Sequence, residues 1–156
     1  MIYSTITRNR VLYFGVALLS LLLVMVGSGG GLFGYEGFWI GDWQHKMFRT
    51  LCHQDPSRSF WINGKPMAVC ARCYGIYAGF SLFWLSIPLL GKINSDFFRY
   101  TKKMLLVAIL LNIVDVVGNL LGFWQNSSIS RSILGAIIGS TAVLTLAREF
   151  LKSKTN

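Results

Sequence analysis

Four long apolar stretches constrain most strongly what this chain can fold into. They lie at about 11–28, 74–91, 103–124 and 132–150, and each approaches the roughly 20 residues that a helix needs to cross a bilayer. With 53% hydrophobic and 13% charged residues among 156, the chain has too few polar side chains to cover a soluble domain. The sequence therefore predicts an all-α, polytopic membrane protein in which 1–156 form one membrane domain with four transmembrane helices. The first stretch also resembles a secretory signal peptide, and we interpret it as a retained spanning helix.

The positive charges predict the orientation of these helices. A formal net charge of +9 would suggest a nucleic-acid partner for a soluble protein, but here Lys and Arg flank apolar runs, where they contact lipid headgroups. We therefore exclude nucleic acid and expect the lipid bilayer of the plasma membrane as the partner. Nine of the 15 basic residues precede helix 1, link helices 2 and 3 or close the chain, whereas six fall in the first and third loops. Both termini are predicted to be cytoplasmic.

The first outer loop, about 29–73, carries an amphipathic segment. In FWIGDWQHKMFRTLC, an apolar face repeats every four residues, and a second face carries His45, Arg49 and Cys52. This pattern predicts an interfacial helix in the headgroup region, with its apolar face toward lipid or the bundle. It is compatible both with a helix that only covers the bundle and with one that shapes a site. The apolar face comprises Trp39, Trp43, Met47 and Leu51.

All three cysteines of the chain fall within 52–73. Cys70 and Cys73 are spaced i to i+3, so in the first turn of helix 2 their sulfurs share one side, as chelation or a disulfide requires. Cys52 returns from the outer loop with His53 beside it. Three cysteines and a histidine suit tetrahedral zinc, and His53 is preferred because His45 lies about 10 Å before Cys52 along a continuous helix. Without a histidine, three thiolates and a free position would indicate a catalytic or transport site.

Two other interpretations of the cysteines stay open. Free cysteines are often only small buried hydrophobic residues, and an outward loop is an oxidising place in which a disulfide can form. A CxxC at a helix start beside a third cysteine is also how quinone-linked disulfide oxidoreductases are built. Such enzymes generally need a second cysteine pair, and this chain has three cysteines. The ligand set therefore favours metal over redox chemistry.

Helix 3 carries a polar stripe, Asn112, Asp115 and Asn119, on one face of an apolar segment. A carboxylate inside a membrane costs about 2.5–3.5 kcal/mol on insertion scales, so we expect Asp115 to face the bundle interior. It can serve as a proton acceptor, a cation ligand or the counter-ion of Arg131 at the start of helix 4. The alternatives are a hydrogen-bond clamp between helices and, for Arg131, a snorkelling anchor.

Basic residues and glycines point to the same outer region. Arg58 and Arg72 can add positive charge, which favours thiolates and suits an anionic ligand. Small residues spaced by four let helices approach closely in lipid, so we expect tight packing beneath the cysteines. These pairs are Gly75/Gly79, Gly118/Gly122 and Gly135/Gly139.

Several motifs resemble a known family. CHQ at 52–54, RSF at 58–60 and CARCYGIYAG at 70–79, followed by Asp115 and SISRSILGAIIG at 128–139, are similar to motifs of the DUF2085 family. The resemblance implies a small integral membrane protein and leaves its chemistry to be argued from the residues.

The sequence leaves three functions open. The first is a metal-dependent enzyme acting on a lipid, an anionic small molecule or another membrane-borne substrate, in which the metal activates water or polarises an acyl or phosphoryl oxygen. Arg131 or Arg58 would then hold an anionic group, and Asp115 would handle protons. The second is a non-enzymatic transporter or accessory module in which zinc pins the outer loop. The third is thiol–disulfide exchange with a quinone.

Overall fold

The computed structural model describes residues 10–29, 40–90 and 100–151, which are mostly helical. Before the cysteine block lie two helices, α1 (Arg10–Ser28) and α2 (Ile40–Phe48). Within the block, a 3₁₀ turn at Pro56–Arg58 precedes a short hairpin of β1 (Trp61–Ile62) and β2 (Lys65–Pro66). Three long helices follow: α3 (Ala71–Leu90), α4 (Thr101–Leu120) and α5 (Ser128–Leu151).

The long helices pack around α3. It contacts α1 on one side and α5 on another, and α4 packs mainly on α5. A buried apolar cluster joins α1, α3 and α5, and Trp84 donates its indole N–H to the backbone oxygen of Tyr13 at 3.1 Å. This packing fixes α3, which begins at the CxxC pair, against α1 and α5. The cluster comprises Ala17, Trp84, Ile87, Val143 and Ala147.

Helices α3 and α5 run parallel and touch through their glycines. A Cβ built on Gly75 would lie 2.0 Å from the backbone oxygen of Ser132, and one on Gly139 would lie 2.2 Å from that of Ile76. Real side chains do not approach backbone so closely, and only glycine permits this contact. The predicted close packing is therefore confirmed for Gly75/Gly79 and Gly135/Gly139. The parallel arrangement also brings the N-termini of α3 and α5 to the same end of the molecule.

The third predicted glycine pair has a different role. Gly122 has φ +77° and follows the end of α4, where Phe123 N–H donates to the Gly118 oxygen at 2.9 Å and Gly122 N–H to the Asn119 oxygen at 3.3 Å. These two bonds make a Schellman cap, which needs a residue in the left-handed region. Gly118 itself lies against the Trp124 ring, only 2.1 Å from where its Cβ would be. The cap ends α4 at Leu120, before the predicted end at 124.

Three of the described helices are long and apolar enough to cross a membrane: α1, α4 and Ser128–Ala147 of α5. Most apolar side chains of α4 are exposed, as expected for a helix whose surroundings are lipid. The remaining predicted span, at 74–91, corresponds to α3. This helix has 20 residues but is not among those three. It packs against α1 and α5, and Arg72, glycines and Pro88 interrupt its apolar sequence.

Candidate metal centre and neighbouring polar network

The three cysteines come together at the start of α3. Their Sγ atoms all lie within 4.8 Å of one another, and Cys70 Sγ is 3.4 Å from Cys73 Sγ. The backbone N–H of Cys70 donates to Cys52 Sγ at 3.2 Å. Cys52 is buried, with 6% of its surface exposed, whereas Cys70 and Cys73 are half-buried. Any approach to the cluster from outside is therefore on the side of the CxxC pair.

Local structure explains how Cys52 reaches this pair. Helix α2 ends at Phe48, and a turn closes when Cys52 N–H donates to the Phe48 oxygen at 2.8 Å. The chain then reverses at Gln54, which has φ +53°. The Gln54 side-chain amide donates to the His45 oxygen at 2.7 Å and to the Ala68 oxygen at 2.9 Å. One side chain thus ties α2 to the segment that enters α3.

A short hairpin lies between the two cysteine segments. Asn63 and Gly64 both have positive φ, +50° and +75°, which is the requirement of a type I′ turn. Trp61 then pairs with Pro66, and Ile62 with Lys65. This tight reversal returns the chain from the 3₁₀ turn to α3 and so places Cys70 beside Cys52.

The helix α3 begins immediately after Cys70. Tyr74 N–H donates to the Cys70 oxygen at 3.0 Å, so Cys73 lies in the first turn, as its i to i+3 spacing predicted. The two sulfurs of the pair therefore lie on one side at the start of the helix, as chelation requires.

The structure does not bring His53 into the cluster. Its side chain is exposed, and it is not a member of the cysteine group in which a metal could be held. The neighbours on both sides are fixed, since Cys52 is buried against the CxxC segment and Gln54 makes two amide hydrogen bonds. His45 contributes its backbone oxygen to Gln54. The cluster thus consists of three sulfur donors.

Electrostatics favour a thiolate at Cys52. Hydrogen bonds from the side chains of Cys70 and Cys73, together with backbone N–H groups of Cys70 and Gln54, hold the pKa of the Cys52 thiol well below its usual value. Burial acts in the opposite direction and is outweighed. These hydrogen bonds therefore favour negative charge at Cys52, and the thiolate is the form of cysteine that binds metal.

The surroundings of the cluster are apolar. Cys52 belongs to a buried cluster with Phe48, Ala68 and Val69. The end of α1 closes one side, where Gly29 lies so near Ala68 that a Cβ on it would be 2.7 Å from the Ala68 nitrogen. Partly buried side chains pack around this cluster: Leu23, Val26, Cys70, Cys73, Tyr74 and Tyr77.

A polar network centred on Asp115 lies next to the cysteine cluster. The Asp115 Oδ2 forms an ion pair with the guanidinium of Arg72 and accepts a hydrogen bond from the Asn126 amide at 2.7 Å. Asn119 accepts the backbone N–H of Asn126 at 3.1 Å. Asn112 donates to the Leu134 oxygen of α5 at 3.1 Å. The polar stripe thus faces neighbouring protein segments. It connects α4 with α3, with α5 and with the loop between α4 and α5.

The predicted partner of Asp115 was wrong. Arg72, between the two cysteines of the CxxC motif, makes the ion pair expected of Arg131. Arg131 instead lies within electrostatic range of Asp55, whose pKa is lowered chiefly by hydrogen bonds from Ser57 and further by the charges of Arg58 and Arg131. Arg58 Nε is 3.1 Å from Asp55 Oδ2.

Sequence reasoning missed three features of the site. Gln54 was only part of the CHQ motif, although its positive φ and two amide bonds fix the loop. Arg72 was considered as added charge and not as the counter-ion of a residue 43 positions away. Asn126 lies in a connection where no residue pattern reveals a contact with Asp115.

Comparisons with known proteins agree with a membrane protein. The family model for DUF2085, described as a predicted membrane protein, matches residues 52–145. An uncharacterized protein of Methanocaldococcus jannaschii is 33% identical over 147 residues, covering 90% of this chain and 94% of that protein. An uncharacterized protein of Methanothermobacter thermautotrophicus is 34% identical over 108 residues, covering 67% of this chain and 92% of that protein. No solved structure matches the chain.

Proposed function

The chain belongs to the DUF2085 family of predicted membrane proteins, and on this premise we propose that it carries a zinc-type metal centre formed by Cys52, Cys70 and Cys73. The centre acts on a lipid or other membrane-borne substrate. In this proposal α3 is the fourth membrane span, α2 lies in the headgroup region, and both termini are cytoplasmic in the plasma membrane. The cysteine cluster then faces outward.

The observation that carries the proposal is the convergence of the three sulfurs. They come from two segments separated by a 3₁₀ turn and a hairpin, and yet all Sγ atoms lie within 4.8 Å. Sulfur ligands bind zinc at about 2.3 Å, so the three sulfurs lie near the separation at which one ion binds all of them. Backbone N–H groups already directed at Cys52 Sγ, including that of Cys70 at 3.2 Å, support a negatively charged sulfur.

The number of protein ligands, three, supports a catalytic metal centre. Catalytic zinc sites use three protein ligands and leave a fourth position for water or substrate, whereas structural sites are closed by four. The half-buried side of the cluster, at Cys70 and Cys73, gives that position a route from outside. Arg58 and Arg131 provide positive charge for an anionic group of the substrate. Asp115 acts through its ion pair with Arg72 and supports the metal-bearing turn.

A second candidate is a non-enzymatic, metal-stabilised module. It is favoured by the buried position of Cys52 and by the Gln54 amide, which together join the loop to α3. A metal here would complete a connection between the outer segment and the membrane helices. The two candidates differ in what loss of the metal does to the fold.

Metal analysis of the purified full-length protein tests both candidates. We expect close to one zinc per chain in the wild type and loss of nearly all of it in Cys52→Ser, Cys70→Ser and Cys73→Ser. Ser86→Ala, at a half-buried position whose hydroxyl bonds within α3, is the matched control and keeps the metal. If chelation of the metal leaves the helices folded, the result supports a catalytic metal centre. If chelation unfolds the outer segment, the result supports the structural module.

One result would reject both candidates. If the wild type purifies without metal and with a native disulfide between two of the cysteines, the site is a redox site, and thiol–disulfide exchange replaces metal binding.

A further inference from the structure

Two buried polar atoms beside the ion pair have no hydrogen-bond partner among the residues that the structure describes. They are Nε of Arg72, on α3, and Oδ1 of Asn112, on α4. Buried polar groups are nearly always hydrogen-bonded, either to protein or to internal water, and here one atom is a donor and the other an acceptor. We propose that the two atoms form an internal water-binding site, in which water accepts from Arg72 and donates to Asn112. This site does not depend on the proposed metal centre.

The acceptor of the site is fixed by the other half of the Asn112 side chain. Its amide nitrogen donates to the backbone oxygen of Ala108 at 3.0 Å and to that of Leu134 at 3.1 Å. Only the nitrogen of an amide can donate, so turning the group over would direct its oxygen at two carbonyl oxygens. Oδ1 is therefore held away from both, in a residue that is only 6% exposed.

The donor of the site is fixed by the ion pair. Arg72 reaches Asp115 through its terminal Nη2. Because the guanidinium is planar and rigid, this contact also sets the direction of the Nε–H. Nε itself is buried, so a ligand that contacts it must be small and must lie within the protein.

Both atoms belong to the place where α3, α4 and α5 meet. Asn112 and Asp115 are three residues apart on α4, so their Cβ atoms lie about 5–6 Å apart on one face. On the side of α5, Asn112 contacts Leu134, and a Cβ built on the next residue, Gly135, would lie 2.1 Å from the backbone oxygen of Arg72. Bridging water, with two hydrogen bonds of about 3 Å each, joins polar atoms at separations of this order.

The charges of the site select its ligand. Arg72 and Asp115 carry opposite charges and form a pair, and Asn112 is neutral, so the site has no net charge. An anion would meet the Asp115 carboxylate and the unpaired oxygen of Asn112, and a cation would meet the guanidinium. The ligand must therefore be neutral, and it must accept one hydrogen bond and donate another. Water meets these conditions, and buried water typically makes about three such bonds.

The bound water completes a polar network that begins after α4. Asn126 contacts Asn119 and Asp115, and Asp115 pairs with Arg72. Water on Arg72 carries the network on to Asn112, which lies seven residues before Asn119, or about 10 Å along a helix. One hydrogen-bonded network then links all three helices.

Magic-angle-spinning NMR of the isotopically labelled, full-length protein in deuterated lipid bilayers tests the site. The Arg72 Nε–H is assigned in the wild type by its proximity to the carboxyl carbon of Asp115. We expect magnetization transfer from water protons to this Nε–H. The buried indole N–H of Trp84, which donates to the Tyr13 oxygen, is the negative control, and the exposed indole of Trp61 is the positive control.

A soluble gadolinium chelate separates internal from bulk water. The chelate is expected to abolish the transfer to Trp61 and to leave the transfer to Arg72. Asn112→Leu is expected to remove the transfer to Arg72, because the water loses its acceptor. Asn119→Leu, seven residues further along α4, is the matched control and keeps it.

Three results would overturn the proposal. They are no transfer to Arg72 in the wild type, transfer to it from a molecule other than water, and transfer that persists in folded Asn112→Leu protein. If Asn112→Leu does not fold, the wild-type measurements with and without the chelate decide between internal water at Arg72 and none.

Discussion

Asp115 is a carboxylate on an otherwise apolar helix, and its structural partner determines what it can do. A charge in the membrane is tolerated when it is paired and faces protein, and Asp115 is paired with Arg72, with 13% of the carboxylate side chain and 23% of the guanidinium side chain exposed. Asn126 donates to the same oxygen. A carboxylate held in this way links α4 to α3 and to the connection that follows α4. We therefore interpret Asp115 as a residue that positions the cysteine-bearing turn through Arg72.

A double-mutant cycle tests this link. We expect Arg72→Gln and Asp115→Asn each to destabilise the folded protein by about 2–4 kcal/mol, because each leaves one charge unpaired in a poorly solvated place. The double variant is expected to lose clearly less stability than the sum of the two single losses, since neither charge remains. Reversible unfolding in mixed detergent, followed by helical circular dichroism, measures these differences.

The matched control for the cycle is Arg131→Gln. Arg131 lies near Asp55 and not in the ion pair, so its replacement should change stability by no more than about 0.5 kcal/mol. A cycle in which Asp115 couples to Arg131 and not to Arg72 would contradict the arrangement described here.

At the level of elements, short-range chemistry sets where each helix begins and ends. The Asn63–Gly64 turn fixes the hairpin register, the Gly122 cap ends α4, and Ser127 accepts N–H groups of the first turn of α5. The helix α2 has a more specific role: its buried face carries Gln44 and Phe48 toward the cysteine side, whereas Trp43 and Met47 are exposed. One face of α2 thus packs against protein, and the other face is exposed.

The glycine contacts between α3 and α5 give a second prediction. Gly139→Ala is expected to destabilise the protein by about 1–3 kcal/mol, because its Cβ would lie 2.2 Å from the Ile76 oxygen and backbone must move to admit it. Thermal unfolding in nanodiscs and metal content together check the effect, since a shift of α3 also moves Cys70 and Cys73.

Gly15 provides the control for the same substitution. Nothing lies within 4 Å of a Cβ built there, so Gly15→Ala in α1 should be neutral or stabilising by up to about 1 kcal/mol. Equal destabilisation by both variants would show that helix propensity, and not interhelical contact, governs these positions.

The whole molecule places all three cysteines and the N-termini of α3 and α5 at one end. This end is connected to α1 through the contact between Gly29 and Ala68 and to α4 through Arg72. In the proposed topology, in which α3 is the fourth span, the parallel course of α3 and α5 means that both helices enter the membrane from the same side. The distribution of basic residues predicts that this side is the outside.

Orientation can be measured in intact cells. A fluorescent protein fused to the C-terminus is expected to fluoresce, and a periplasmic phosphatase at the same place to be inactive, because the C-terminus is predicted to be cytoplasmic. After metal chelation, a membrane-impermeant maleimide should label the wild type, with a variant lacking all three cysteines as the unlabelled control. Active phosphatase, or cysteines protected until the cells are broken, would reverse the orientation.

The sequence by itself determined the membrane class, the number of long helices, the hairpin turn and the grouping of the cysteines. These follow from hydrophobic length, local backbone preference and short spacing, which act within a few residues. Only the tertiary structure decided that Arg72 pairs with Asp115, that Gln54 fixes the loop and that His53 lies outside the sulfur cluster. Such contacts depend on which helix neighbours which and on the direction of each side chain, and both are set by packing between segments distant in the chain.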